Sequence, residues 1–531
     1  MLEGDKLKYL TISAFFIFIG ICPAVDSNHF LLPFPLILTA SPGEFRGPHL
    51  HAGIDVSTQQ TTGWPVYAAE DGIVLRIKSK YRSEGRAVYL KHSDGRVSVY
   101  AHLEDFSDSI QNLIPKKRFF DIFPKIKLAI GKGEILGFSG ESGAGLPHLH
   151  FEIRKNMSQS SMDSIILPQF KEKFAPVIEK IHFVQPETGK VRLSVSPEQL
   201  SRSIDKPLVF IEPLAIAVQM YDRVKSDYAR CNVPYALLKK GEKILFEAHM
   251  DEVRFPRNYH SSMHYLSEFT GFGPTRFTYK MYRDYPQESP FIKKHFNNGW
   301  MDAGDHTLKL EIWDYFGNRS FQTIPVRVLS QSIPRPKPEW MELGSAKKFI
   351  LESGPARLVF NTKFSSRLDE VELEWKNEGS PQIRVGPPGL FFTRPAHLIL
   401  PLYKSQYWAN LSGPMAFKRK SNNIQIDLSG AQHLKLLPDK QNPWISKKIR
   451  TLSGKRKIRY YIRAGDKGSG LDNESIKAMC GKQDRYVEWD SDRRWLWVNK
   501  PCKNMKVSLC DRVGLCNSQV VQFANERNKD D

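Results

Sequence analysis

The chain has 531 residues, with 77 Lys and Arg against 57 Asp and Glu and a formal net charge of +20. Its length excludes a single small domain and predicts three or four, each able to bury a core. Its charge excludes an acidic surface and favours anionic partners: nucleic acid, lipid headgroups or anionic wall polymers.

At the start, Lys6 and Lys8 precede the apolar run Tyr9 to Cys22, and Ala24 suits a cleavage position. Residues 1–24 therefore read as a secretory signal peptide. The run is short for a spanning helix, which disfavours an uncleaved anchor. Lipoprotein anchoring through Cys22 is the lesser alternative, because Ile21 stands where a lipobox carries a small residue. The expected address is exported, in the periplasm or cell envelope. No later stretch is long and apolar enough to cross a membrane. Export makes nucleic acid an unsuitable partner and permits disulfides.

Residues 28–41 are a Pro-rich, apolar lead-in. In Arg46-Gly-Pro-His49-Leu-His51-Ala-Gly-Ile-Asp55-Val56, Pro48 and Gly53 argue against a helix and for a loop entering a strand. His49 competes with His51, and the Gly-Ile-Asp context favours His51. Short strands with turns at Asp71-Gly72 and Asp94-Gly95 follow. Arg76, Lys78, Lys80 and Arg82 read there as solvated, and His92 as a surface residue. Tyr100-Ala101-His102-Leu103 comes next, then an extended loop, Lys116 to Phe123, and a glycine-rich approach, Gly140 to Pro147.

Pro147 to Ile153 alternates apolar and polar residues and reads as a strand. Residues two apart share a face, so His148 and His150 project into one cleft. Adjacent imidazoles are costly in a core and useful around a metal. Glu152 shares that face. It either orients an imidazole or pairs with a basic residue.

Together these three segments resemble the LytM/lysostaphin-type zinc metallopeptidases, family M23, over roughly Leu32 to Arg154. The resemblance implies that His51, Asp55 and His150 bind one zinc ion per chain. It implies that His102 and His148 work beside the metal as the catalytic pair. The glycines of Gly140 to Pro147 permit tight turns close to a bound peptide. Leu146 stands where the family has a small residue, a departure that bears on substrate preference. Three protein ligands would leave an open tetrahedral position, as at a catalytic zinc.

After Arg154 the pattern becomes that of β-rich modules. Thr307 to Asp314 alternates and ends in a turn at Phe316-Gly317-Asn318, as in an Ig-like sandwich. The three prolines of Ile333 to Pro338 make an extended linker. Glu370 to Trp375 is the clearest strand of the next region. Lys506 to Asp511, followed by Gly514 and Asn517, echoes the Asp314 turn. Asp466-Lys-Gly-Ser-Gly reads as a plain turn, because one carboxylate cannot make a calcium site. Cys480, Cys502, Cys510 and Cys516 allow three disulfide connectivities, with Cys231 left over as a buried residue. Lys447, Lys448, Arg450, Lys455, Arg456, Lys457 and Arg459 form the strongest basic cluster. It reads as a solvated face, or more sharply as a dock for anionic envelope polymers.

The expected fold class is mainly β: a LytM-type antiparallel peptidase domain (28–172), Ig-like sandwiches (173–332 and 441–525), a linker (333–342) and a β-rich domain (343–440). The expected function is an exported zinc metalloendopeptidase acting on the peptide stems of peptidoglycan. The rivals are a zinc peptidase with a protein substrate and a non-catalytic wall-binding regulator of an amidase.

Overall fold

The computed structural model describes residues 30–523 apart from internal stretches, the longest being 162–168, 224–229, 256–263, 267–276, 330–348 and 361–370. The leader with Cys22, His49, Arg82 and the Pro-rich linker lie outside the described residues. Strand is the dominant regular structure of those described, and their two α-helices span only Asp108–Gln111 and Pro197–Ser201.

Eleven strands build the region that resembled a peptidase: β1 (Leu38–Ala40), β2 (Ile54–Ser57), β3 (Pro65–Tyr67), β4 (Gly72–Ser79), β5 (Arg86–Lys91), β6 (Arg96–Ala101), β7 (Leu103–Phe106), β8 (Phe120–Ile122), β9 (Ala129–Ile130), β10 (Ile135–Ser139) and β11 (His148–Lys155). The main antiparallel sheet runs β1-β2-β11-β6-β5-β4-β8, and a smaller one runs β3-β10-β7. The lead-in supplies the edge strand β1, and its Leu31 and Leu32 are buried in the core.

The alternation in β11 sets the design. Leu149, Phe151 and Ile153 enter the core with Ile54, Val56, Leu90 and Tyr100. Period-2 geometry then sends His148, His150 and Glu152 to the opposite face. Register fixes the neighbours: His150 lies opposite Asp55 on one side and Ala101 on the other. His102 follows Ala101, so the middle of the sheet collects residues from three chain segments.

Burial corrects two readings. His92 is interior and bridges the Asp71 carbonyl at 2.8 Å and the Ser98 hydroxyl at 2.9 Å. Lys78 is interior too, paired with Glu84 at 2.9 Å. It lies opposite Ala87 and 3.3 Å from the Tyr89 hydroxyl, on the face of the sheet that carries a second small core, so neighbours on the next strand bury it.

Three further cores follow, at 178–328, 356–436 and 449–521. In the first, strand Gly304–Trp313 pairs with Arg319–Val328 around a turn in which the Asp314 carboxylate accepts from Phe316 N and Asn318 N. In the last, the Asp511 carboxylate accepts from Gly514 N and Leu515 N, so the sequence echo is an echo of geometry. The loop at Asp466 is more than a plain turn. Asp439, Asp466 and Asp511 converge there, as Glu172, Asp222 and Asp314 do in the first sandwich. Sequence separation hid that gathering. Cys480 bonds Cys502, Cys510 bonds Cys516, and Cys231 is a buried thiol outside both disulfides.

Phe151 is wholly buried, with its ring centroid 5.1 Å from that of Tyr100. We expect Phe151→Ala to destabilise this region by ~3–5 kcal/mol through the cavity left behind. Denaturant unfolding followed by hydrogen exchange in β6 and β11 measures it. A loss under about 1 kcal/mol would mean that the sheet does not depend on this packing.

Candidate metal centre and its imidazoles

His51, Asp55 and His150 present donor atoms to one point. His51 Nε2 lies 3.1 Å from Asp55 Oδ1 and 3.0 Å from His150 Nδ1, and His150 Nδ1 lies 2.8 Å from Asp55 Oδ1. Ligands at ~2.0–2.1 Å around a tetrahedral zinc are ~3.3 Å apart, so the triangle is within a few tenths of an ångström of that shape.

The far nitrogens decide what the near ones offer. His51 Nδ1 is 2.9 Å from the Ser41 carbonyl, His102 Nδ1 is 2.8 Å from that of Ser142, and His148 Nδ1 is 2.7 Å from that of Leu146. A carbonyl only accepts, so each of these nitrogens carries the proton. His150 Nε2 donates to Glu152 at 2.9 Å. All four rings therefore keep a hydrogen on the outer nitrogen and turn the other toward the cleft. Two of those inner nitrogens and a carboxylate oxygen meet at the triangle. Three acceptors cannot face one another unless a proton or a cation lies between them. The donor set fits zinc.

The electrostatics agree. Burial opposes charge on Asp55, but His51 and His148 hold its carboxyl well below the usual range. Burial likewise opposes a charge on His150, but Asp55 and Glu152 outweigh it and push its pKa up to about 10. Burial, aided by His148 and His150, lowers His102 to about 3. His102 is thus neutral at physiological pH. Its ring centroid is 4.6 Å from that of His148. Its backbone has φ of +61°, a conformation that costs ~1–3 kcal/mol for a non-glycine residue. That left-handed residue ends β6 and aims the ring into the cleft.

All five residues singled out from sequence are thus gathered in one cleft. Glu152 does both things expected of it as alternatives, accepting from His150 and pairing with Arg154. Sequence reasoning missed the groups that hold the first loop. Arg46 lies 3.6 Å from Asp55 and 2.9 Å from Glu44, whose carboxylate caps Ser41 N at 2.7 Å. Asn232 donates from its backbone to Ser41 Oγ and from its side chain to the Pro42 carbonyl. Tyr265 donates to the Gly43 carbonyl, and Tyr315 to that of Pro42. Gly43, at φ of +81°, sits so close to Asn232 that a Cβ would meet its amide at 2.4 Å. Asn232, Tyr265 and Tyr315 come from 190 or more positions away, where no local spacing signals them.

Two imidazoles and a carboxylate in an open cleft, with two further imidazoles beside them, are the residue set of a single-cation hydrolytic centre. Residues 49–118 match the model of Peptidase family M23. Over 120 residues the chain is 34% identical to the DD-carboxypeptidase/endopeptidase Mpg of Neisseria meningitidis serogroup B, covering 22% of this chain and 23% of that protein. Over 123 residues it is 29% identical to the cell division protein DipM of Caulobacter vibrioides, covering 22% and 17%. The catalytic domain of the M23 protein EnpA from Enterococcus faecalis is 27% identical, with 24% of this chain and 87% of that one covered and a TM-score of 0.17. The chain carries a peptidase family M23 domain. It spans less than a quarter of the length of these curated relatives.

A cation must displace the proton that His150 holds. Apparent zinc affinity is therefore expected to rise about tenfold per pH unit between about pH 6 and 8. Titration against a competing chelator measures this. An affinity flat across that range would mean that His150 is neutral before metal arrives.

Proposed function

We propose that this chain is an exported zinc metalloendopeptidase that hydrolyses peptide cross-links of bacterial peptidoglycan. The observation that carries the reading is the convergence of His51, Asp55 and His150 beside two imidazoles whose outer nitrogens are held by backbone carbonyls and whose inner nitrogens face the cleft. His51, Asp55 and His150 would hold one zinc, and His102 and His148 would be the catalytic pair. When bound, zinc supplies a Lewis acid that polarises the scissile carbonyl and makes water nucleophilic near neutral pH.

The chain's own residues do the rest. His102, kept neutral by burial, has a free Nε2 that accepts a proton from the attacking water. The strained backbone and the Ser142 carbonyl fix where that nitrogen points. His148 is held by the Leu146 carbonyl, with Nε2 at 3.6 Å from Asp55. His102 then returns that proton to the departing amine, and a proton on His148 Nε2 would let that ring stabilise the oxyanion. Glu152 and Ser41 keep the two metal-binding rings in the tautomers that bind.

The substrate class draws support from the name of the Neisseria relative, a DD-carboxypeptidase/endopeptidase, and from that of DipM, a cell division protein. Export draws support from the two disulfides. Docking on anionic polymers has a smaller base than the sequence suggested. Lys457 and Arg459 pair with acidic residues of the M23 domain, Arg456 covers Phe138, and Lys447, Lys448 and Arg450 are left exposed.

Release of soluble muropeptides from purified sacculi tests the function. The parent chain should release them. His150→Ala should lose metal and activity together, and His102→Ala should keep the metal and lose at least about 100-fold in rate. A zinc-loaded parent that releases nothing from sacculi but cleaves a protein would move the substrate to that class.

A further inference from the structure

The last module lies against the M23 domain, and where it touches is informative. Glu141 is buried in the glycine-rich approach to β11. It receives Arg459 Nη2 and, at 2.9 Å, Arg493 Nη1, both from the C-terminal module. Arg459 is braced in turn: its guanidinium stacks 3.7 Å from the Trp497 ring centroid, and its Nη1 reaches Thr62 Oγ1 at 3.3 Å. Around this point Lys457 pairs with Asp105, and Arg86 with Glu488 at 3.4 Å.

The neighbours of Glu141 hold the backbone of His148 and the imidazole of His102, the two residues flanking the metal triangle. The Gly140 carbonyl accepts His148 N at 3.2 Å, and the Ser142 carbonyl accepts His102 Nδ1 at 2.8 Å. A cavity of about 540 Å³, lined by Gly140 to Gly145 on one side and by Tyr486, Trp489 and Trp497 on the other, lies between this loop and the module. Apolar packing therefore does not join them there. Polar contacts do: the two guanidiniums on one buried carboxylate, with Lys457–Asp105, Arg86–Glu488 and Lys455 N to the Thr62 carbonyl around them.

We infer that the C-terminal module is a positioning part of the active site: Arg459 and Arg493 grip Glu141 and so fix the loop whose carbonyls orient His102 and His148. This rests on the proposed peptidase reading for its effect on rate, but the grip can be read without it. Neither arginine touches the metal-binding residues or the reacting atoms. Both are positioning residues, far along the chain from the site they serve.

The test uses the full chain with Arg459→Ala/Arg493→Ala, Glu141→Gln, the conservative Arg459→Lys/Arg493→Lys, and the exchange Glu141→Arg/Arg459→Glu. The first readout is hydrogen exchange over residues 139–148, which needs no activity. Exchange should quicken at least about tenfold in the alanine pair and in Glu141→Gln, less in the lysine pair, and recover partly in the exchange. The second is kinetic: kcat should fall about tenfold or more in the same order, with KM and bound zinc little changed. A parent that hydrolyses nothing would refute the peptidase reading and leave the exchange result to decide the grip. Parent-like protection of 139–148 in a folded alanine pair would overturn the inference. So would a kcat loss matched by loss of zinc, which would point to general unfolding.

Discussion

Three unshared electron pairs aimed at one point are the constraint around which this molecule is organised. His51, Asp55 and His150 approach to within about 3 Å of one another. In water such groups would turn apart, because each prefers a donor. Here they are held facing by contacts on their far sides: the two rings donate to the Ser41 carbonyl and the Glu152 carboxylate, and Arg46 lies 3.6 Å from Asp55. The energy to keep them so comes from apolar burial of the opposite face of β11 and from the ladder that sets His150 against Asp55. A proton on His150 or a divalent cation completes the arrangement. The carboxylates that make this imidazole basic also make it a good ligand once the proton leaves.

The surrounding modules are not passengers on this design. The loop before His51 is tied by Asn232, Tyr265 and Tyr315, and Phe45 and Leu50 enter the core of the first sandwich. The loop before His148 is tied by Arg459 and Arg493 of the last. Loops carry the chemistry because a rigid sheet alone cannot place groups from several segments, yet loops move. Anchoring each of them to a neighbouring module, one through apolar burial and one through ion pairs, supplies the rigidity that a 1 Å tolerance demands.

Much of the site was legible in the sequence because its chemistry is local. His-x-His on an alternating strand declares a shared face, and Gly53 and Pro48 exclude the helix that would have been the rival geometry for His51 and Asp55. The mainly β character was legible for the same reason, since periodicity is a local property. The rest was not. Burial of Lys78 depends on Glu84 and on Tyr89 of the next strand, and burial of His92 on partners 6 and 21 residues away. The basic cluster looked solvated because its partners, Glu104, Asp105 and Glu141, lie more than 300 positions earlier. Likewise the lone carboxylate at Asp466 gained Asp439 and Asp511 only through folding.

One measurement bears most directly on the convergence of the three donors. Zinc bound per chain should be determined for the parent, His51→Ala, Asp55→Ala, His150→Ala and His102→Ala, with X-ray absorption on the parent. The expected result is about one zinc per parent chain, in a shell of two imidazole nitrogens and oxygen, lost in the first three variants and kept in the fourth. Full zinc occupancy in folded His150→Ala, or a thiolate in the shell, would contradict it.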